Sequence, residues 1–229
     1  MTAEVYYHTI MKPEIKLFHS EVMEKLNTNE EVKKLYCGWK VWFSPIIDEP
    51  EILFIGINPG QGEGGDLTLE PDGELQYIYD KSNWPLKNDT LEVFKELEDI
   101  VDLGNCIKTN YYYLATKDSS TDNFEPLTKF LGREKGNNGL GDRFFKNSKK
   151  WTRQILNIIK PKLIICEGKQ AFNLVTEYAL EIKMETNGDD VYTTYNKTLG
   201  TNILGYNREW KRAGIKNKSL LKEKIRELI

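Results

Sequence analysis

Residues 51–65 read EILFIGINPGQGEGG, a short apolar run that passes directly into a polar loop with four glycines. An apolar run of this length, bounded by turn residues, is typical of a buried strand in a parallel sheet. Glycine-rich loops let backbone N–H groups approach a ligand closely. Asn58 stands where the strand ends, at the edge where open parallel sheets hold their ligands. The stretch therefore predicts an α/β fold with a ligand site after this strand.

Two common nucleotide-binding motifs do not fit this loop. A dinucleotide fingerprint requires G-x-G-x-x-G running into a helix, and a P-loop ends in Gly-Lys-Ser/Thr. A strand followed by an ordinary turn is the alternative interpretation of the same residues. The polar segment beyond the loop contains Tyr77, Tyr79 and Trp84. This segment could fold back over a pocket, and Tyr77 and Trp84 either stack on a base or pack locally.

The length and composition of the chain predict one domain. It has 229 residues, of which 39% are hydrophobic, enough for a single core. The first residues lack a basic region followed by an apolar one, and no segment is apolar for long enough to span a bilayer. We therefore expect a cytoplasmic monomer with no membrane partner.

The cysteines and histidines exclude several kinds of site. Cys37, Cys106 and Cys166 are odd in number and widely spaced, which argues against a disulfide framework and against an iron–sulfur cluster. The two histidines, His8 and His19, are both near the N-terminus, so neither a His-rich metal site nor a Ser-His-Asp triad is expected. No metal and no cofactor are predicted. The candidate functional groups are therefore amides, carboxylates, tyrosines and arginines.

Positive charge is concentrated locally although the formal net charge is −3. Between residues 208 and 226 the basic side chains far outnumber the acidic ones, and residues 146–153 form a second basic group. Such patches can meet phosphates because salt limits the reach of each charge to about 8–10 Å. Solvated helix faces are the alternative interpretation. The basic residues of the first group are Arg208, Lys211, Arg212, Lys216, Lys218, Lys222, Lys224 and Arg226.

Alternating apolar runs and amphipathic segments predict the order of elements. Because strands and helices alternate with short links, we expect a three-layer α/β/α sandwich around a central, mostly parallel, four-stranded sheet. The loops after residues 57, 110, 167 and 204 should gather at one edge of it. Strands are predicted at 51–57, 105–115, 162–167 and 201–204, with a short edge strand at 39–44. Helices are predicted at 13–36 with a break at 27–29, 91–100 with Thr90 as its N-cap, 143–159, 169–179 and 218–228, with one more short helix inside 118–142.

Four pieces of the chain, in this order and spacing, resemble the uracil-DNA glycosylase superfamily. They are GINPG at 56–60, TNYYYLAT at 109–116, KPKLIICEGKQAFNLV at 160–175 and NILGYNREW at 202–210. The mismatch-specific and thymine-DNA glycosylases and the single-strand-selective branch are the nearest look-alikes. The resemblance runs from about residue 40 to the end, so residues 1–38 are expected to be a helical extension of a single domain spanning 1–229.

The resemblance implies a monofunctional DNA glycosylase, a hydrolase of base excision repair. Such a protein binds DNA, flips out a uracil or a related damaged or modified base, and hydrolyses its N-glycosidic bond. By match to the family motifs, Asn58 holds the attacking water and Asn110 reads the amide edge of the pyrimidine. One carboxamide offers both the donor and the acceptor that this edge requires. The other expected base-pocket residues are Gly56, Ile57, Pro59, Gly60, Gln61 and Tyr206.

The last motif departs from the family pattern. A His-Pro-Ser type loop is replaced by residues 205–208, GYNR, so the histidine that donates to the pyrimidine O2 is missing. Asn207 is the candidate replacement donor, and Arg208 either pairs with a phosphate or fills the gap left by a flipped base. Lys211 and Arg212 are expected to contact DNA with Arg208. Glu63 is a further catalytic candidate, with a plain charged turn residue as the alternative.

Two other functions stay open at this point. A non-catalytic nucleic-acid or nucleotide sensor would keep the pocket without the last-motif histidine, and weak or absent activity fits that loss. An enzyme acting on free nucleosides or nucleotides is the third possibility, since an acidic protein surface does not hinder it. Asn110 could also simply end its strand by bonding to nearby backbone.

Overall fold

The structure, a computed structural model, describes residues 1–59, 68–116, 121–132, 139–177, 185–187, 190–209 and 214–229. A π-helical turn, Tyr7–Met11, joins the first two helices. The helices of the described residues are α1 (Ala3–Tyr6), α2 (Lys12–Leu26), α3 (Glu30–Lys33), α4 (Gln76–Tyr79), α5 (Pro85–Lys95), α6 (Thr121–Phe130), α7 (Leu140–Ile159), α8 (Lys169–Thr176) and α9 (Lys218–Leu228). The strands are β1 (Tyr36–Trp39), β2 (Ile52–Gly56), β3 (Ile107–Asn110), β4 (Leu114–Thr116), β5 (Leu163–Cys166), β6 (Glu185–Asn187), β7 (Val191–Asn196) and β8 (Thr201–Tyr206).

The chain divides into two compact units, each assembled from separate stretches. The first unit contains residues 1–41, 57–70 and 110–158. The second contains residues 42–56, 71–109 and 159–229. Residues 1–38 thus belong to the first unit, while the single domain over 1–229 stays a prediction.

A six-stranded sheet in the order β3-β2-β5-β8-β7-β6 is the centre of the second unit. The pairs β2–β5 and β5–β8 are parallel, whereas β7 pairs antiparallel with both β8 and β6. The prediction of a mostly parallel central sheet flanked by helices is confirmed, but the prediction of four strands is wrong. The two additional strands form an antiparallel hairpin at one side of the sheet. No strand was predicted between residues 179 and 201, where β6 and β7 lie.

Helices cover both faces of this sheet. On one face, alternate residues of β2 and β8, such as Phe54 and Leu204, share a buried apolar cluster with residues of α4, α5 and α9. The opposite face receives α8, since a Cβ built on Gly205 would lie only 2.6 Å from Phe172 of that helix. Successive side chains of a strand point to opposite faces of the sheet, so each face of this sheet packs against its own layer of helices.

The first unit is built around a cluster of aromatic rings. Phe18 of α2 packs edge-on against Trp39 of β1 and against Trp151 of α7, with ring centroids 6.0 and 6.3 Å apart. Glu14 joins the same two helices, because its carboxylate accepts hydrogen bonds from Trp151 Nε1 and from Lys150, both at 2.9 Å. The strands β1 and β4 form a separate two-stranded antiparallel sheet, with Trp39 opposite Leu114.

Several element boundaries differ from the predicted ones. The helix predicted at 91–100 begins at Pro85, and Thr90 lies inside it, where its hydroxyl donates to the Leu86 carbonyl. A proline at the first helical position starts a helix without a side-chain cap. The strand predicted at 105–115 is two strands, β3 and β4, and the edge strand predicted at 39–44 ends at Trp39.

Other local predictions are confirmed. The helix predicted at 13–36 breaks near residues 27–29, where Asn29 caps α3 with its side-chain oxygen. The helix predicted at 218–228 is α9, capped by Asn217. A helix does lie inside 118–142, namely α6. No helix among the described residues combines the length and the apolar character needed to cross a membrane.

Candidate functional site

Asn58 follows β2 and has a buried side chain. All residues of β2 are buried, and the chain leaves the strand after Gly56. Asn58 is 6% exposed, and its Nδ2 donates to Thr116 Oγ1 at 3.4 Å and to the Pro59 carbonyl at 3.5 Å. Both distances are at the upper limit for a hydrogen bond, so these contacts hold the amide weakly. A water or a ligand group can compete with them for the amide.

Asn110 ends β3 and is also buried, at 5% exposure. The residues after it run beside the residues around Asn58 in the first unit. The Tyr112 amide donates to the Ile57 carbonyl at 2.7 Å, and the Thr116 amide donates to the Pro59 carbonyl at 3.2 Å. These two backbone bonds join residues 57–59 to residues 110–116. The structure therefore brings the two predicted pocket asparagines onto adjoining segments, each with a buried carboxamide.

Five predicted site residues lie outside the described residues. They are Gly60, Gln61 and Glu63 of the glycine-rich loop, and Lys211 and Arg212 of the last loop. Their predicted roles stay predictions.

The last motif is held in place by the strand β7 of the second unit. Tyr192 OH donates to Asn207 Oδ1 at 2.9 Å, and Asn207 Nδ2 donates to Asp190 Oδ1 at 3.5 Å. A carboxylate oxygen only accepts hydrogen bonds, so the amide nitrogen of Asn207 must face Asp190. Its amide oxygen then faces the Tyr192 hydroxyl, which can donate to it. Tyr206 is fully buried within the core, so its ring is a packing element of the sheet. Arg208 is exposed and pairs across a short bridge with Ile215.

A buried ion pair that sequence reasoning missed lies in the second unit. Lys108 of β3 donates to both carboxylate oxygens of Glu167, at 2.5 and 2.6 Å, and to Tyr77 OH at 2.8 Å. Both charged side chains are only 5% exposed. The three donor hydrogens of the ammonium group thus match three acceptors. Glu167 directly follows β5, so the pair reaches the carboxyl edge of the parallel strands.

Burial perturbs the acid–base behaviour of this cluster. Removal from water lowers the pKa of Lys108 well below its usual range, and the charge of Arg208 acts in the same direction. Burial raises the pKa of Glu167 to about 8, although Arg208 opposes that shift. The pKa of Tyr206 is raised well above its usual range, chiefly by burial and secondarily by Glu167. Groups perturbed in this way at a sheet edge are candidates for a functional site.

A sequence signal for this pair did exist. Lys108 interrupts the strand NCIKTNYYYL, and Glu167 ends the apolar run KLIICE. A lone charge inside a buried strand needs a partner of opposite sign. Two such charges at predicted strands of one sheet therefore indicate an ion pair between those strands.

Of the aromatic residues beyond the loop, Tyr77 is a packing element. Tyr77 is fully buried, with its ring edge-on to Phe54 at 5.3 Å and under the Lys108 ammonium at 4.4 Å. Trp84 donates its Nε1 proton to Asp80 at 2.9 Å. Local packing, one of the two alternatives, is therefore the role of Tyr77, and it excludes stacking of a base on that ring.

Most of the basic residues of α9 face carboxylates. Lys222 lies 2.5 Å from Glu96, and Arg226 lies 2.9 Å from Asp99. Lys218 contacts both Asp89 and Glu92 of α5. The helix packs against α5, which brings these acidic residues opposite the basic ones. The charge count along residues 208–226 does not include these partners, so it overestimates the attraction of α9 for phosphates.

Two comparisons with known proteins give no match, one with protein-family models and one with curated proteins. Among the described residues, no group of three His, Cys, Asp or Glu side chains is arranged to hold a metal ion. What the fold and site define is an α/β protein with two buried asparagines on adjoining segments and a buried Lys–Glu pair near the carboxyl edge of its sheet.

Proposed function

We propose that this protein is a DNA glycosylase of the uracil-DNA glycosylase type. In the proposed reaction, a uracil-like base is flipped from the DNA strand and its N-glycosidic bond is hydrolysed by water held at Asn58. Asn110 reads the amide edge of the base. The proposal extends to the fold, which would be a three-layer sandwich of that superfamily.

The observation that carries the proposal is the position of the two asparagines. Both carboxamides are buried, and the backbone bond from Tyr112 to Ile57 joins the segments on which they lie. A buried amide without strong partners is costly in a merely structural role, because each unmade hydrogen bond costs about 1–3 kcal/mol. Within the part of the chain that the structure describes, the Nδ2 of Asn58 makes two long contacts, which fits a group that completes its bonding with water and substrate.

The chemistry assigns each group one role. Water attacks the anomeric carbon of a sugar with oxocarbenium character while the bond to the base nitrogen breaks, and the base leaves with the bonding electrons. Asn58 orients that water, and the proton released from it passes to solvent or to the departing base.

One observation favours a second function, a catalytically weak or inactive nucleic-acid sensor. Tyr192 and Asp190 both contact the Asn207 amide, and Asp190 brings a carboxylate next to the donor. A negative charge next to an amide donor makes it less suited to stabilise a second negative charge. Asp190 is itself paired with Lys216 at 2.7 Å, which reduces this opposition.

The experiment that tests the proposal is a panel of oligonucleotides containing uracil, mismatched thymine, hypoxanthine and modified cytosines, assayed for abasic sites. The glycosylase predicts base release from at least one of them. The variant Asn110→Asp replaces a donor with an acceptor and should abolish the preference for uracil, whereas the exposed Asn173→Asp in α8 should keep it. If the protein binds uracil-containing DNA but releases no base from any substrate, the glycosylase is contradicted and the non-catalytic sensor is supported.

A further inference from the structure

The last motif leaves the sheet as a short pair of antiparallel segments. After β8, residues 207–209 run beside residues 214–216, with Arg208 opposite Ile215. We call these two segments the last-motif hairpin. A ladder this short is marginal by itself, so its position depends on contacts with the rest of the second unit. Two backbone hydrogen bonds flank the bridge, from the Glu209 amide to the Gly214 carbonyl at 2.8 Å and from the Lys216 amide to the Asn207 carbonyl at 3.1 Å.

Asp89 of α5 holds the returning segment of this hairpin. Its side chain is buried, at 4% exposure, and its Oδ2 accepts a hydrogen bond from the Ile215 amide at 2.8 Å. The Ile215 side chain lies in the same buried cluster as Leu86 and Val93 of α5. Helix and hairpin are therefore joined by apolar packing and by a charge-assisted hydrogen bond, which is about twice as strong as a neutral one.

Neither the helix nor an ion pair explains the buried carboxylate of Asp89. Aspartate is among the weaker helix formers, and a buried charge is costly unless it is paired and hydrogen-bonded. Lys218 lies 3.4 Å from Asp89 Oδ1, but its ammonium also pairs with the exposed Glu92. Because Lys218 has this other partner, Asp89 is better explained by its bond to the backbone of the hairpin.

A second carboxylate holds the outgoing segment. The carbonyl of Asp190 accepts from the Asn207 amide at 2.8 Å, and its Oδ1 lies 2.7 Å from the Lys216 ammonium. The hairpin is thus fixed on both sides, directly after the carboxyl end of β8, where open sheets bind their ligands. Residues 207–216 contain four basic residues and one acidic residue, a composition that suits a polyanion.

We infer that Asp89 is a positioning residue that holds the last-motif hairpin in the conformation that binds the DNA strand. The inference rests on the proposed DNA substrate and adds to it a residue outside the motifs. A segment already fixed in its bound conformation loses less conformational freedom on binding, which raises the affinity. This effect is opposite in sign to that of the Asp89 charge, since a negative charge near DNA repels phosphates.

The test compares three variants in binding of a labelled, uracil-containing single-stranded oligonucleotide. Asp89→Leu removes the acceptor at similar volume and should weaken binding by about tenfold, whereas loss of the charge alone would strengthen it. Asp89→Asn keeps an oxygen that can accept from the Ile215 amide, so its affinity should stay close to that of the parent. Glu92→Gln, the matched control, removes a negative charge of the same helix and should bind as tightly as the parent or more tightly. Binding by Asp89→Leu that equals or exceeds that of the parent would overturn the positioning role.

Hydrogen exchange of single amides separates release of the hairpin from a general folding defect. In Asp89→Leu the Ile215 amide should exchange faster than in the parent, while the Ile164 amide in the middle of β5 keeps its rate. In Asp89→Asn both amides should exchange as in the parent. An unchanged Ile215 amide in Asp89→Leu would show that Asp89 does not hold the hairpin. Faster exchange of both amides would show that Asp89 stabilises the whole unit, and it too would overturn the inference.

Base release from the same oligonucleotide separates this inference from the proposed function. Weaker binding by Asp89→Leu, in a protein that releases no base, would keep the positioning role and refute the glycosylase. Base release by the parent together with undiminished binding by Asp89→Leu would refute the positioning role and keep the glycosylase.

Discussion

The ammonium of Lys108 contacts both carboxylate oxygens of Glu167 across the width of β2, the strand that lies between β3 and β5. The contact joins β3 to the end of β5 through side chains, with β2 between them. Because both charges are buried, each depends on the other for its stability.

Removal of one partner should therefore be far more damaging than removal of both. Lys108→Met leaves the Glu167 carboxylate buried without a cation, and we expect the free energy of unfolding to fall by about 3–5 kcal/mol. Lys108→Met/Glu167→Met should recover most of that loss. Urea unfolding followed by circular dichroism measures both. Equal destabilisation by the single and the double variant would contradict the buried pair.

The single variant should also show a stronger pH dependence of stability than the parent. Burial raises the pKa of Glu167 to about 8 from an ordinary 4.5, and loss of Lys108 favours the neutral form further. A raised folded-state pKa stabilises the protein fully below the unfolded pKa, and this contribution is lost as pH rises through the folded pKa. From about pH 5 to about pH 8, the stability of Lys108→Met should fall by about 1.4 kcal/mol per pH unit relative to Lys108→Met/Glu167→Gln. Parallel pH profiles of the two variants would show that Glu167 is not buried.

Gly205 allows α8 to approach the sheet. A methyl group at this position would lie 2.6 Å from Phe172, so Gly205→Ala should destabilise the protein by about 1–3 kcal/mol through overpacking. Gly73 provides the control, since a Cβ there meets no atom within 4 Å. Thermal unfolding of the two variants measures the difference. A Gly205→Ala protein as stable as Gly73→Ala would mean that α8 lies farther from β8.

Two neighbouring tyrosines of the N-terminal segment have opposite surroundings. Tyr7 OH donates to the Leu69 carbonyl, whereas Tyr6 OH is buried with no hydrogen-bond partner among the described residues. Tyr7→Phe should therefore lower the free energy of unfolding by about 1 kcal/mol. Tyr6→Phe should leave it unchanged or raise it slightly. The reverse order of stabilities, measured by urea unfolding, would contradict these surroundings.

The central strands were predictable because burial on both faces leaves a clear pattern. The runs ILFIG and LIIC are apolar throughout, which only a strand covered on both sides tolerates. The hairpin of β6 and β7 was not predictable in the same way. Residues 191–196, VYTTYN, form no continuous apolar run, and their strand is recognisable only through its pairing with β8, which begins at Thr201, with four residues between it and the end of β7.

The candidate site was predictable only where single residues mark strand ends. Asn58 follows β2 and Asn110 ends β3, and these two strands are neighbours in the sheet. The partners of charges were not predictable in this way. The carboxylates opposite α9 come from α5 and from the residues directly after it, more than a hundred residues earlier, and the sequence of α9 alone gives no sign of them.

The most direct test of the proposed glycosylase is release of uracil from an oligonucleotide by the parent protein and by Asn58→Ala, measured under single-turnover conditions. The account predicts that the parent releases the base and that Asn58→Ala is slower by about 10²-fold or more, with DNA affinity kept. Asn173→Ala, at an exposed asparagine of α8, should match the parent. Equal rates for the parent and Asn58→Ala would contradict the role of Asn58, and absence of release from every tested substrate would contradict the glycosylase itself.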